Sequence, residues 1–486
     1  MPDTRFSRLP HAGVLAGARG LALALCGAFL AACTLGPDYV RPAVDTPAVF
    51  KEAGDWKPAE PRDPSAADTW WALFDDPVLD GLQRQVNLSN QNIKSFEAQY
   101  RQAVALADAA RASWFPAVNV TAGATRSATS AVTDAAGSAP PRNSFTVGAT
   151  ASWELDVWGR IARNVEAADD RVQASEADLA AARLSAQATL AQTYFQLRAA
   201  EQQQTLLEGA AEAFERSLGL TRNRYAAGVA AKADVAQAES QLRSARASVL
   251  DSRLARSQYE HALAVLTGQP PARFSLAPAT GLPVVVGAPA ILPSTLLERR
   301  PDIAAAERRV AAANAAIGAA EAARFPVLGL SASVGFRRSE IEDLISVPSR
   351  YWSLGPTLTA PLFDGGARKA AATQARGVWE QAVATYRQTV LTAFQEVEDN
   401  LAASRLLADA AVEQAAAVSA AAEAESIALN QYKAGTVSYL NVLTAQTTHL
   451  AAQRSASDLA ARRLVAAVLL AKNAGGTWRG EGVPLP

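Results

Sequence analysis

The sequence predicts a mostly α-helical chain with a small transmembrane β part, the whole pattern written twice. Three observations carry that fold class. Two long stretches lack proline: 270 − 141 − 1 = 128 residues between Pro141 and Pro270, and 484 − 361 − 1 = 122 between Pro361 and Pro484. Both are rich in Ala, Leu, Gln, Glu and Arg, which lose little rotamer freedom in a helix. Four short segments alternate apolar and small polar residues with the period of a strand. Finally, motifs recur about 210 residues apart. Trp114-Phe115-Pro116-Ala117 returns as Arg324-Phe325-Pro326-Val327 (325 − 115 = 210), and Tyr225-Ala226-Ala227-Gly228 as Tyr432-Lys433-Ala434-Gly435 (432 − 225 = 207). Gly159-Arg160 is echoed by Gly366-Ala367-Arg368. A period this long indicates a duplicated domain and not a solenoid.

At the N-terminus, Arg5, Arg8 and Arg19 precede an apolar run from Gly20 to Leu30, which ends in Leu30-Ala31-Ala32-Cys33. Basic residues, a short apolar core and a small-residue cleavage site follow in the order of a secretory signal, and the run is too short to span a bilayer. The expectation is therefore a lipoprotein signal peptide over residues 1–32, with Cys33 acylated (the palmitate-bearing first residue) in a mature chain of 486 − 32 = 454 residues. Cys26 leaves with the leader, so disulfides, Cys-ligated metals and a Cys nucleophile are excluded. Thr34 follows, and without an Asp there to argue for inner-membrane retention the outer membrane is the expected address. Residues 33–69 are read as an extended lipidated segment.

The first repeat, 70–269, is predicted to hold a helix, strands at 117–126 and 144–156, and a helical hairpin over 159–267. Val118, Val120, Ala122 and Ala124 alternate with Asn119, Thr121, Gly123 and Thr125, and Phe145 to Leu155 repeats the alternation. From Arg160 to Arg224 the chain runs 65 residues, roughly 100 Å of helix at about 1.5 Å per residue. Val165, Val172, Leu179, Ala186 and Thr193 recur every seven, with Ile161, Ala168, Ser175, Ala182 and Thr189 as a second seam, so close coiled-coil packing is expected. Gly228 is the natural turn, after which Lys232 to Leu266 returns. A crossover over 270–300 leads to the second repeat, 301–472, with strands at 327–337 and 351–363 and a hairpin over 367–472. There Val383, Val390 and Val397 repeat the heptad, Gly435 makes the turn, and Tyr439 to Lys472 returns. Residues 473–486 form a tail.

Segments of this length match tilted strands crossing a bilayer. A half-buried soluble sheet would show the same alternation, but small polar residues dominate the second face. In addition, Phe145, Trp153, Phe336 and Trp352 sit near strand ends, as in interfacial aromatic girdles. The connections Arg126 to Asn143 and Arg337 to Arg350 read as long polar loops outside the cell. Four strands cannot close a membrane barrel, and a sheet edge cannot face lipid. Spanning strands thus require a shared barrel of 2 × 4 = 8 or 3 × 4 = 12.

Composition removes other classes. The net charge is −1 and no basic stripe with interleaved aromatics appears, so nucleic acid is not expected as a partner. After loss of His11 only His261 and His449 remain, which leaves little for a metal site or a His-based triad. No phosphate loop, metal motif or nucleophile-base spacing stands out, so no cofactor and no enzyme activity is expected.

Taken in order along the chain, the residues resemble the outer-membrane factors, the TolC-like ducts of tripartite efflux systems, in their lipidated NodT-type branch. The resemblance rests on Cys33 followed by Gly36-Pro37-Asp38-Tyr39-Val40-Arg41-Pro42, on Trp70-Trp71-Ala72-Leu73-Phe74-Asp75-Asp76-Pro77, on Arg299-Arg300-Pro301-Asp302-Ile303, on Pro361-Leu362-Phe363-Asp364-Gly365-Gly366, and on the duplicated Tyr-x-x-Gly turns. It implies a homotrimer with a twelve-strand outer-membrane barrel and a periplasmic helical tunnel. That trimer would act as a passive exit duct, serving a periplasmic adaptor and an inner-membrane RND-type transporter. It further implies a periplasmic gate near the second turn, where the matching positions are Gln431, Tyr432, Leu440 and Thr444, with Arg224, Tyr225, Lys232 and Asp234 at the first. Gln431 and Thr444 depart from the charged pair of related efflux ducts, so a Leu440 constriction with polar or Tyr contacts is expected, with Asp234 paired to a cation. Type I protein secretion is a second use the resemblance allows. A non-conducting periplasmic coiled-coil scaffold lipoprotein is a reading from another class.

Overall fold

A computed structural model describes residues 35–53, 69–128, 141–279, 281–283 and 299–476. Cys33, the leader and most of the C-terminal tail lie outside the described residues. The elements are α1 (Pro77–Ser89), α2 (Gln91–Ala112), β1 (Ala117–Ser127), β2 (Arg142–Leu155), α3 (Arg160–Ala226), α4 (Lys232–Leu266), α5 (Pro301–Ala322), β3 (Val327–Arg338), β4 (Arg350–Thr359), α6 (Ala367–Ala434) and α7 (Tyr439–Asn473). The same series of helix, two strands, long helix and shorter return helix occurs twice. Among the described residues no helix is long and apolar enough to cross a membrane.

The chain divides into two compact units. The first (Met1–Pro42, Arg101–Ala174, Glu307–Thr385) holds all four strands in one antiparallel sheet of order β1-β2-β3-β4. The register sets faces: Ala124 pairs with Phe145, Phe145 with Arg338, and Phe336 with Arg350. Every residue of β1 is exposed, and β4 is nearly so, with Val120, Trp352 and Leu358 at 79%, 73% and 69%. In one chain the sheet thus has two free edges and an uncovered apolar face. On the opposite face Tyr351 lies over glycine: a Cβ on Gly148 would meet its hydroxyl at 2.7 Å and the Val334 carbonyl at 2.8 Å.

β4 ends at Thr359 and not, as the alternation suggests, at 363. Pro361 has no N–H to continue a ladder. Beyond it the Asp364 carboxylate accepts from the Gly366 and Arg368 N–H groups and starts the turn into α6. Pro356 is tolerated inside β4 because β4 is an edge strand.

Residues 35–42 are strapped to this unit. Leu35 N–H donates to the Trp158 carbonyl, and Arg163, buried, donates to the Leu35 carbonyl. Gly36, at φ +102°, approaches Gly318 so closely that a Cβ would sit 2.4 Å from the Gly318 Cα. Tyr39 donates to Glu307 and lies under Arg308, which also pairs with Asp170. Burial pushes the Asp170 carboxyl up to about 6, with Arg308 pulling it down and Glu166, Glu307 and Asp169 pushing it further up.

The second unit (Ala43–Tyr100, Ser175–Ala306, Tyr386–Pro486) carries the main core. Trp70, Trp71 and Phe74, on a 3-10 turn, pack with Leu79, Leu190, Tyr194, Phe195, Leu263 and Leu464. Asp76 caps α1 by accepting from the Val78 and Leu79 N–H groups, and its second oxygen accepts from the Tyr194 hydroxyl at 2.6 Å. A buried charged cluster fastens the start of the connector between repeats. Arg198 and Arg256 both bind Glu201 and donate to the carbonyls of Ala277 and Leu276, while Glu260 accepts from the Leu276 N–H. Of the expected heptads, Val390 and Val397 are buried as a continuous seam requires, whereas Thr189 is exposed, its hydroxyl donating back to the Ser185 carbonyl. The second seam of α3 is therefore interrupted at Thr189.

Candidate functional site

The two helical turns share one backbone solution. After α3, the Gly228 N–H donates to the Tyr225 carbonyl and the Val229 N–H to the Arg224 carbonyl, both at 2.9 Å. After α6, Gly435 N–H donates to the Tyr432 carbonyl and Thr436 N–H to the Gln431 carbonyl, both at 3.0 Å. These are Schellman-type closures that satisfy the last helical carbonyls and need a left-handed residue, here Gly228 at φ +76° and Gly435 at φ +81°.

Side chains around the two turns differ. Tyr432 is 3% exposed and stacks edge-on against Tyr439 at 5.7 Å, within a core of Phe214, Leu218, Ala238, Leu242 and Val442. Arg224, from the first turn, lies 4.8 Å over the Tyr432 ring, and its Nη1 donates to the Lys433 carbonyl at 3.4 Å. The first turn's cation therefore sits on the negative end of α6. A polar line continues along α3 and α7: the Tyr432 hydroxyl donates to Thr221, and the Gln446 amide donates to Ser217 at 3.2 Å. Among the described residues the Tyr439 hydroxyl and the Gln446 carbonyl oxygen are buried without a partner. Burial, then the neighbouring Tyr432 and Asp234, pushes the Tyr439 hydroxyl up to about 12.

The structure thus separates the residues expected at a gate. Gln431, Leu440 and Thr444 are exposed, Leu440 at 53%. Gln431 and Thr444 share with Asn441 and Thr448 an uncharged groove of about 580 Å³ between α6 and α7. Tyr432 lies on the opposite, packed face, so within one chain it anchors the turn and does not obstruct a passage. Tyr225 and Lys232 are exposed. Within one chain the Asp234 carboxylate accepts from the Ala231 N–H at 3.3 Å and caps α4, and among the described residues it forms no ion pair with a basic side chain. Tyr439, Thr221, Ser217 and Gln446 were not singled out from the sequence. The available signal was Tyr439, Gln446 and Gln453, polar residues at a seven-residue spacing on a helix whose seam otherwise reads apolar.

A duplicated sheet and helical-hairpin chain of this kind defines a class, and comparison with known proteins gives the family. The model for "outer membrane efflux protein" matches residues 82–269 and 292–476. The toluene efflux pump outer membrane protein TtgC of Pseudomonas putida is 31% identical over 94% of this chain and 95% of its own. The pyoverdine export outer membrane protein OpmQ of Pseudomonas aeruginosa is 35% identical over 86% and 89%. Among solved structures, the outer-membrane channel OprN superposes with a TM-score of 0.85 at 32% identity, over 91% of this chain and 99% of that one. The chain belongs to the outer membrane efflux protein family, with the TolC-like fold, and is an outer-membrane component of efflux.

Proposed function

We propose that three copies close one twelve-strand barrel in the outer membrane and that their helices form a passive exit duct, opened at the hairpin turns when an adaptor and an inner-membrane RND-type transporter engage. The observation that carries this reading is the sheet: four strands with an uncovered apolar face and unpaired edges at β1 and β4. Lipid cannot satisfy a free edge, so β4 of one copy pairs with β1 of the next until the barrel closes. Three copies supply 3 × 4 = 12 strands, the solution the family resemblance favours. Cys33 carries the acyl anchor, two residues before the strap that begins at Leu35.

The duct works without catalysis. Its gate is the uncharged face of the second turn, where Leu440 is the constriction, Gln431 and Thr444 line the approach, and Arg224 clamped on Tyr432 sets how far α6 and α7 can part. Toluene and pyoverdine, the cargoes in the relatives' names, share little chemistry. That favours a duct that imposes little selectivity and takes its cargo from its partners. The test is the full-length protein in detergent and in planar lipid: a trimer with discrete conductance steps is expected, and a monomer that passes no current overturns the reading. At the gate, Leu440→Ser is expected to raise conductance; an unchanged value removes Leu440 from it.

A further inference from the structure

The two ends of the sheet's apolar face are chemically unlike. At the end where the strands meet α3, α5 and α6, the face closes with Val118, Leu155, Leu328 and Leu358, Leu155 paired to Leu328 and Leu328 to Leu358. At the opposite end three of four strands finish the same face with arginine. Arg126 follows Ala124 by two residues and pairs with Asn143; Arg338 pairs with Phe145; Arg350 pairs with Phe336. Between them the face carries no charge. Phe145, Phe336 and Trp352 lie directly inside the arginines, Trp352 being 73% exposed.

Arg338 is held by its loop, donating to the Asp343 carbonyl and Ser346 and facing the Asp343 carboxylate at 3.3 Å. Arg126 and Arg350 are exposed, and neither guanidinium has a hydrogen-bond or ion-pair partner among the described residues. Arg142 and Arg337 belong to the other face, paired with Ser127 and Thr146, and Arg337 is occupied by the Tyr351 ring at 5.1 Å. So among the described residues the strands' own free cations on the apolar face stand at its loop end, at the boundary of the apolar belt.

We infer that Arg126 and Arg350, with Arg338 at the same rim, form a band that binds the phosphates of phosphorylated headgroups in the lipid leaflet bordering the loop end of the barrel. A planar guanidinium grips phosphate through two parallel N–H donors, and at the rim of a hydrocarbon layer that contact is poorly screened. Aromatic side chains one row inward hold the same level through their amphipathic rings. An anionic solute passing through the lumen would meet the other face instead. The inference rests on the reading that the apolar face meets lipid.

The test uses the full-length trimer in detergent with radiolabelled bisphosphorylated lipid A and its dephosphorylated form. The wild type is expected to prefer the phosphorylated lipid by about tenfold, the equivalent of about 1.4 kcal/mol from charge-assisted contacts. Arg126→Gln with Arg350→Gln is expected to lose most of that preference while conductance stays, and Arg142→Gln to keep it. A double variant with wild-type preference overturns the band, as does displacement of the lipid by equimolar inorganic phosphate, which would make it a solute site. Quenching by brominated acyl chains, read as the difference between wild type and Trp352→Phe, separates the two levels. Quenching without phosphate preference removes the band and leaves the lipid-facing sheet; absence of quenching removes both.

Discussion

The two helical turns were written from one template, and an offset of 207 residues aligns them: 431 − 224, 432 − 225, 439 − 232 and 441 − 234 each equal 207. Arg224, Tyr225, Lys232 and Asp234 of the first correspond to Gln431, Tyr432, Tyr439 and Asn441 of the second. Backbone closure is the same in both, down to the bonds from Gly and its successor. Side chains diverge in a directed way. The first turn keeps its charges and leaves Tyr225 46% exposed, while the second exchanges cation and anion for amides and buries two tyrosines. Glycine geometry needs only the two glycines, so duplication preserves it; the side chains are free to specialise. One turn became a packed anchor and the other a donor of the cation, Arg224, that holds it.

The largest contrast is expected at the pair Tyr439 and Lys232. Tyr439→Ala empties a fully buried aromatic site and should cost about 3–5 kcal/mol of local stability, while Lys232→Ala, on an exposed position, should stay within about 0.5. Amide exchange along α4 and α7 reads both, and similar losses would erase the asymmetry. Gly435→Val and Gly228→Val come next. Each places a β-branched residue in the left-handed region, and each should cost about 1–3 kcal/mol. Here the comparison predicts sameness: thermal unfolding should show equal losses, and unequal ones would mean that side chains and not backbone set the turns.

Much of this was legible in the residues. Proline-free gaps located α3 with α4 and α6 with α7, because proline is the one residue a helix interior excludes sterically. Period-two alternation located all four strands to within two residues at every end except 360–363, where Pro361 ends a ladder that the side-chain pattern continues. The site was less legible. Tyr432 and Arg224 could be marked separately, but nothing in a linear pattern says that a cation 208 residues upstream stacks on that ring, since the contact belongs to packing between repeats. Within one chain Asp234 serves its own helix start, a local role that a search for charge partners does not reveal. Tyr439 and Gln446 escaped notice because a polar residue at a seam position reads as a weak seam, not as a buried polar line.

Arg224→Ala is expected to have a middle-sized effect. It removes a cation from an aromatic face and from the carbonyl end of α6, together about 1–2 kcal/mol. Its counterpart Gln431→Ala should change stability by no more than about 0.5 kcal/mol. In planar lipid the Arg224 variant should spend more time in its larger conductance state, and Arg224→Lys should fall between, since an ammonium keeps the charge and loses the planar stack. Equal behaviour of Arg224→Ala and Gln431→Ala would show that the clamp does not restrain the second turn.

The smallest effect is expected from Asp234→Asn, which gives the first turn the residue type the second already has. Asparagine offers the same capping oxygen to the Ala231 N–H, so the cap itself should survive. What is lost is a negative charge at the N-terminus of α4, about 0.3–1 kcal/mol at low salt and less as ions screen it. Melting curves at low and high ionic strength should therefore converge for variant and wild type as salt rises. A loss that persists in high salt would mean that Asp234 holds a specific cation in the assembled protein, restoring the charged arrangement that the isolated chain replaces with a cap.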